Sequence, residues 1–230
     1  MNSILSFPIK YSIYIFWIIA LLSIKTVVFQ FEELAQIFKL LFTPSLTLYY
    51  FSGKNRSNAY FIILFFSWIG YILILSSDFS HILAGIIVFW GVILLLLDTM
   101  IKELIGDFLI QFKKKHALIV AMVWMIYLLI ILIILYENLG SLFWPILFYG
   151  TFLIGAGFLS FMLWTEQRNR TTLSLMIGIT LLIFSGTLLS YGLFIENTSF
   201  IDSLTELTYI GSQFFICYYF IYQPEKQHEF

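Results

Sequence analysis

Between Tyr11 and Ile221 this sequence is a succession of apolar runs, each close to bilayer length and each ended by a short polar connection. That pattern leaves few folds open. In hydrocarbon every backbone N–H and C=O must be satisfied within the protein, so only helices and closed β-barrels can span. The runs are continuous and lack the period-two alternation of a barrel strand, which leaves helices. A span needs about 20 mostly apolar residues to cross a hydrocarbon core roughly 30 Å thick. Eight stretches qualify: Tyr11–Phe29, Ile37–Phe51, Ala59–Ser76, Ile82–Ile101, Ala117–Tyr136, Leu142–Trp164, Leu173–Phe194 and Leu204–Ile221. The second is the shortest and contains Pro44. Composition agrees, with 61% hydrophobic and 11% charged residues against about 45–50% and about 25% in soluble domains. The fold class read from the sequence is all-α: a polytopic membrane helical bundle of about eight transmembrane helices, one integral domain over residues 1–230.

The charges repeat with the same period. Lys10, then Lys54 and Arg56, then Lys102 with Lys113, Lys114 and Lys115, then Arg168 and Arg170, and finally Lys226 occupy alternate connections. The remaining connections carry Glu32, Glu33, Asp78, Glu137, Glu196, Asp202 and Glu206. Positive residues collect on the cytoplasmic side, so the pattern predicts both termini there. Lys25 and Lys39 lie within snorkelling distance of the outer interface. The first run lacks a small-residue cleavage site and is expected to remain as helix one. From Ile101 to Phe112 the apolar residues fall on one helical face and lysines follow. That pattern gives either an interfacial amphipathic helix over 101–115 or a plain extension of span four. A net charge of −1 offers nucleic acid no footing, and the single Cys217 excludes an intramolecular disulfide.

An ionisable residue at mid-membrane depth marks function, and the candidates here are few. Asp98 sits near the end of span four, four residues before Lys102, where it is either half of an i,i+4 ion pair or a site residue. His81, His116 and His228 have no ligand spacing, and no metal or cofactor is implied. A nucleophile elbow is missing as well. What remains is a set of neutral polar or kink-forming residues at middle depth: Thr43, Pro44, Ser67, Gly70, Tyr71, Ser185, Gly186, Tyr209 and Gln213. Each is read either as a helix-packing residue or as part of a shared cavity.

At these residues the chain resembles the YhhN family of multi-pass membrane proteins, whose characterised members are lysoplasmalogenases. The likeness runs from about Lys39 to Ile221 and rests on short motifs. The family's Lys-Pro is matched by Thr43-Pro44, and its Ser-x-x-Gly-Asp by Ser67-Trp68-Ile69-Gly70-Tyr71. Gly85-Ile86-Ile87-Val88-Phe89 follows the family's Gly-Leu-x-x-Phe run. In the second half, Gly178, Ser185-Gly186 and Phe194 follow its glycine, Ser-Asp and closing Phe. Tyr209-Ile210-Gly211-Ser212-Gln213 stands for its Tyr-Tyr-x-Ala-Gln. The titratable members differ. Tyr71 and Gly186 stand where the family has aspartates, Thr43 replaces its lysine, and Ile93 falls where a histidine is expected.

The resemblance implies hydrolysis of the vinyl-ether bond of lysoplasmalogens, a reaction that begins with protonation of the double bond. A buried carboxylic acid can supply that proton. A tyrosine, with an ordinary pKa of about 10, is a far weaker acid, and glycine supplies nothing. The expectation is therefore a catalytically degenerate relative. It would bind a single-chain lipid or fatty aldehyde in a cavity between the second, third, seventh and eighth spans. Two alternatives stand beside it: an active hydrolase with relocated acids, for which Asp98 is the candidate, and a structural or sensory membrane module. The partners expected are membrane lipids, with no nucleic acid and no metal, and the expected location is the bacterial inner membrane.

Overall fold

A computed structural model describes residues 9–53, 55–76, 78–104 and 115–223. Among these the protein is all-α, with no sheet. Eight α-helices follow in order: α1 Ile9–Val28, α2 Glu32–Ser52, α3 Asn58–Ile74, α4 Phe79–Leu104, α5 Lys115–Leu139, α6 Phe143–Gln167, α7 Arg170–Phe194 and α8 Ser199–Tyr222. A single 3₁₀ turn, Gly140–Leu142, joins α5 to α6. Residues 105–114, which carry most of the amphipathic 101–115 piece, lie outside the described residues; Ile101–Leu104 are the last turn of α4.

Among the described residues, four helical stretches are long and apolar enough to cross a membrane: Lys10–Val28, Phe79–Leu104, His116–Gln167 and Arg170–Phe194. The third holds both α5 and α6, which turn back on each other at Gly140, where φ is +49°. Side chains such as Leu118, Val123 and Ile133 on α5 face outward, Ile133 with 75% of its surface exposed. An apolar exterior of this kind belongs in lipid. The architecture is that of a polytopic membrane helical bundle.

Neighbour contacts run from α1 through α2, α3, α4, α6, α7 and α8 and back to α1, while α5 leans on α6 and α7 from outside. Glycines set the closest of these approaches. A Cβ on Gly85 would lie 2.6 Å from Ile74 Cγ1 and 3.2 Å from the Gly70 carbonyl oxygen, so α3 and α4 cross almost backbone to backbone. A Cβ on Gly178 would lie 3.0 Å from the Ile216 backbone nitrogen, which fixes α7 against α8 in the same way. In lipid, where no hydrophobic force pushes helices together, such small-residue contacts carry the packing.

Pro44 has a structural consequence of its own. Proline has no N–H and leaves the carbonyl four residues earlier without its helical donor. That carbonyl belongs to Leu40, and the indole Nε1–H of Trp68 on α3 donates to it at 3.0 Å. The break in α2 is thereby the point at which α3 docks. Trp68 lies between Ser67 and Gly70, so the two motifs quoted from the first half of the chain meet through one hydrogen bond.

Candidate functional site

The site is built mainly on α8, and the start of that helix decides its content. Thr198, in extended backbone, accepts a hydrogen bond from the Ile201 N–H through its side chain at 3.3 Å. Asp202 lies in the first turn, where a carboxylate complements the helix dipole. The helix therefore begins at Ser199, about one turn before the apolar run from which the sequence predicts it. Asp202, Glu206, Tyr209 and Gln213 then recur at intervals of four, three and four, on one face. Glu206, grouped with the connection charges although it falls just inside the last apolar run, is a buried helix residue with only 3% of its surface exposed. It is the one acidic side chain among the described residues that is buried.

Both oxygens of Glu206 are held. Ser23 Oγ of α1 donates to Oε1 at 2.6 Å, and the Tyr71 hydroxyl of α3 donates to Oε2 at 2.7 Å. The Tyr71 ring stacks on Tyr209, with centroids 5.1 Å apart and planes within 6° of parallel. Among the described residues no Lys, Arg or His forms an ion pair with it. The Tyr209 hydroxyl is buried and has no hydrogen-bond partner among the described residues.

Glu206, Tyr71 and Tyr209 lie on the wall of a cavity of about 610 Å³. Its remaining wall comes from the end of α1, the start of α2, the end of α3, the start of α4, the start of α6 and the end of α7. These helix ends share one end of the bundle, where the cavity lies. Lys10, Arg56, Lys102, Arg168 and Arg170 fall at the opposite helix ends. Apolar side chains such as Ile86, Phe89, Leu182 and Leu189 line much of the wall, with Ser185, Ser190 and Asn197 among the polar positions.

Of the sequence candidates, Tyr71, Ser185, Gly186 and Tyr209 line this cavity. Ser185 also donates to the Thr205 carbonyl at 3.2 Å, which ties α7 to α8 beside Glu206. A Cβ on Gly186 would meet only Leu153 at 3.6 Å and Tyr149 at 3.9 Å, ordinary contact distances, so the cavity wall has room for a side chain there. Thr43, Pro44, Ser67, Gly70 and Gln213 are not on the wall. Thr43, Ser67 and Gln213 are buried in the helix packing, with the Thr43 and Ser67 hydroxyls unpartnered among the described residues. Gly70 lies against the Phe89 ring at the α3–α4 crossing. Asp98 is elsewhere: it pairs with Lys102 at 2.6 Å, and the two side chains are 56% and 67% exposed.

Glu206, Ser23 and Tyr149 are among the site residues that escape the sequence reading. A signal for Glu206 exists in the four-three-four spacing with Asp202, Tyr209 and Gln213, on a helix whose start Thr198 marks. Ser23 carries no such signal, because only the folded chain brings α1 beside α8. Among the described residues no group of three or more His, Cys, Asp or Glu is placed to hold a metal ion.

The chain matches no curated protein and no solved structure. A family model does match it, from the first turn of α2 to the last turn of α8, so that α1 and its Ser23 lie ahead of the matched region. The matched residues are 34–219, most of the chain, and the protein belongs to the YhhN family.

Proposed function

We propose that this protein is an eight-span membrane protein with cytoplasmic termini, and that its cavity, at the outer end of the bundle, receives the polar end of a single-chain lipid. The observation that carries the reading is the cavity of about 610 Å³, walled by apolar side chains such as Ile86, Phe89, Leu182 and Leu189 and by at least as many polar ones. Its volume lies in the range of about 300–1,000 Å³ typical of small-ligand sites. The orientation is supported by the basic residues at the helix ends opposite the cavity.

In this reading the protein has lost the family's vinyl-ether hydrolysis. Tyr71 and Gly186 occupy the positions that the resemblance assigns to acids, and both line the cavity. General acid–base groups contribute about 10²–10⁴-fold to rate, so their replacement removes most of the activity. Lysoplasmalogen supplied to the pure protein in nanodiscs should release no aldehyde above background. Lipid extracted from the protein after purification in mild detergent should contain single-chain species by mass spectrometry. A tightly packed bundle that retains none would end the lipid reading.

One observation favours a second reading, a hydrolase with relocated acids: Glu206 is a buried carboxyl on the cavity wall. In its protonated form it would deliver a proton to the vinyl carbon remote from the ether oxygen. Water would add to the resulting cation and return a proton to the carboxylate. Collapse of the hemiacetal would then give aldehyde and alcohol. Aldehyde release by the wild type that vanishes in Glu206→Gln and persists in Asp98→Asn would establish this reading over the first.

A further inference from the structure

Along its axis the bundle is filled from the cavity to the basic end. Phe42, Leu46, Tyr49, Ile93, Leu96 and Ile179 are each at most 2% exposed and belong to one apolar core. Close packing of this kind leaves no channel for a chain. A chain attached to a polar group in the cavity therefore has to leave sideways, between helices.

The packing is interrupted beside α5. Leu128, Leu132 and Leu135 of α5 pack with Ile146 and Ile154 of α6 in a second apolar cluster, separate from the core that holds Leu153 and Ile183. A groove of about 50 Å³ follows the seam between the two, lined by residues of α5, α6 and α7. Ile146, Tyr149, Gly186 and Ser190 line both this groove and the main cavity, so the two spaces meet at those residues. Gly186 is the one glycine on the cavity wall among the described residues, and a Cβ there would meet nothing closer than 3.6 Å. No side chain fills the neck at that point.

The hydroxyls in the groove are already satisfied. Thr187 donates to the Ile183 carbonyl at 3.0 Å and so accepts from the Tyr127 hydroxyl at 2.8 Å, while Ser190 donates to the Gly186 carbonyl at 2.8 Å. An ordered water needs free polar partners, so the groove suits hydrocarbon better than water. Its α5 wall runs from Tyr127 to Leu135, about 12 Å at 1.5 Å per residue. Over the same stretch Ile126, Ile130, Ile133 and Ile134 are exposed on the outside of α5, at the depth of the lipid chains. A Cβ on Gly150 would lie 2.8 Å from Leu128 Cδ1, so α5 is pressed on α6. The seam toward α7 is where α5 can give way.

We infer that the seam between α5 and α7 is a lateral portal that takes the hydrocarbon chain of a single-chain lipid, led out of the cavity past Gly186 toward the bilayer. The inference rests on the lipid-binding reading for the polar end and adds where the chain lies. A volume of about 50 Å³ is smaller than a lipid chain, so the chain enters by parting α5 from α7. The Tyr127–Thr187 hydrogen bond and the edge-on contact of Tyr127 with Phe184, at 5.9 Å, close the seam at its inner end.

The test uses the full-length protein in nanodiscs and two lysolipid photoprobes, one with a diazirine beside its headgroup and one with it at the chain end. Unlabelled lysolipid is the competitor. The chain-end probe should give competed adducts on Leu128, Leu132 and Ile154, and the headgroup probe should give them on the cavity wall. Thr187→Cys supplies a second readout, a thiol in the groove and off the cavity wall, while the native Cys217 is buried. With lysolipid at about ten times its half-saturating concentration, alkylation of that thiol by a lipophilic maleimide should slow about tenfold, as occupancy of one site requires. A glycerophosphodiester with the same head and no chain should not protect it.

Chain-end adducts elsewhere, with headgroup adducts on the cavity wall, overturn the portal and leave the lipid reading intact. A Thr187→Cys thiol that lysolipid does not protect also overturns the portal. Competed chain-end adducts in the groove without headgroup adducts in the cavity keep the portal and end the reading of the cavity as the site of the polar end. If neither probe gives competed adducts, both fail. Should Thr187→Cys not fold, the adduct map of the wild type decides the matter alone.

Discussion

The hydroxyl of Tyr71 donates to Oε2 of Glu206 at 2.7 Å, which joins α3 to α8 across 135 residues of sequence. Tyr71 stands where the family resemblance calls for an aspartate, and its partner is the one buried acidic side chain among the described residues. An aspartate at 71 would face Glu206 as a second carboxylate, and like charges in one buried site oppose each other's ionisation. A tyrosine there is instead a donor that the carboxyl on α8 can use. The substitution at 71 and the acid at 206 form one physical unit.

That unit predicts an asymmetric response to mutation. Tyr71→Phe keeps the ring stacked on Tyr209 and removes only the donor to Oε2, so stability should fall by about 1–3 kcal/mol. In Glu206→Gln the Tyr71 hydroxyl keeps an acceptor only if the amide presents its oxygen, so Tyr71→Phe should cost less in that background. Reversible unfolding of the four proteins in mixed micelles measures the coupling. Additive losses would mean that the two side chains do not interact.

The Pro44–Trp68 contact gives an independent test of how α2 meets α3. Trp68→Phe leaves the Leu40 carbonyl without a donor and should cost about 1–3 kcal/mol. Pro44→Ala supplies an N–H to that carbonyl from within the helix, so the cost of Trp68→Phe should shrink in the Pro44→Ala background. A Trp68→Phe penalty that is the same in both backgrounds would show that the indole acts through packing alone.

Glycines that look equivalent in the sequence should respond differently. Gly178→Ala drives a methyl to 3.0 Å from backbone nitrogen of α8, and overpacking of this kind costs about 1–3 kcal/mol. Gly186→Ala meets nothing closer than 3.6 Å and should be neutral, or stabilising by up to about 1 kcal/mol from helix propensity. Thermal unfolding of the two variants side by side separates them. A Gly186→Ala variant as unstable as Gly178→Ala would contradict the open wall at that position.

Asp98→Asn removes one half of an exposed ion pair with Lys102. Exposed pairs contribute about 0–1 kcal/mol, so stability should change little, and ligand binding in the cavity should not change at all. Altered lipid selectivity in Asp98→Asn would give this residue a role that its position does not explain.

The apolar runs carried the all-α membrane bundle because lipid leaves the backbone so few options, and that part of the fold was legible from Tyr11 to Ile221. Of the nine candidate residues, Tyr71, Ser185, Gly186 and Tyr209 are among those that line the cavity, and the other five lie off its wall. Glu206 escaped because it falls only two residues inside the last apolar run, which starts at Leu204, and so groups with the charges of the preceding connection. The Thr198 cap starts α8 five residues earlier than that, at Ser199, which turns the same acid inward. Ser23, the Leu40 carbonyl and Trp68 were beyond reach for another reason. Their roles depend on which helices become neighbours, and generic apolar faces do not encode neighbour choice strongly.

The central claim is that a single-chain lipid enters the cavity walled by Tyr71, Gly186 and Glu206. Its most direct test is photo-crosslinking in nanodiscs with a lysolipid that carries a diazirine beside its headgroup, followed by peptide mapping. The account predicts adducts on the cavity-lining ends of α3, α7 and α8, at residues such as Leu75, Leu189 and Thr205, which unlabelled lysolipid competes away. Adducts confined to the outward face of α5, around Val123 and Ile133, and indifferent to competitor would contradict it.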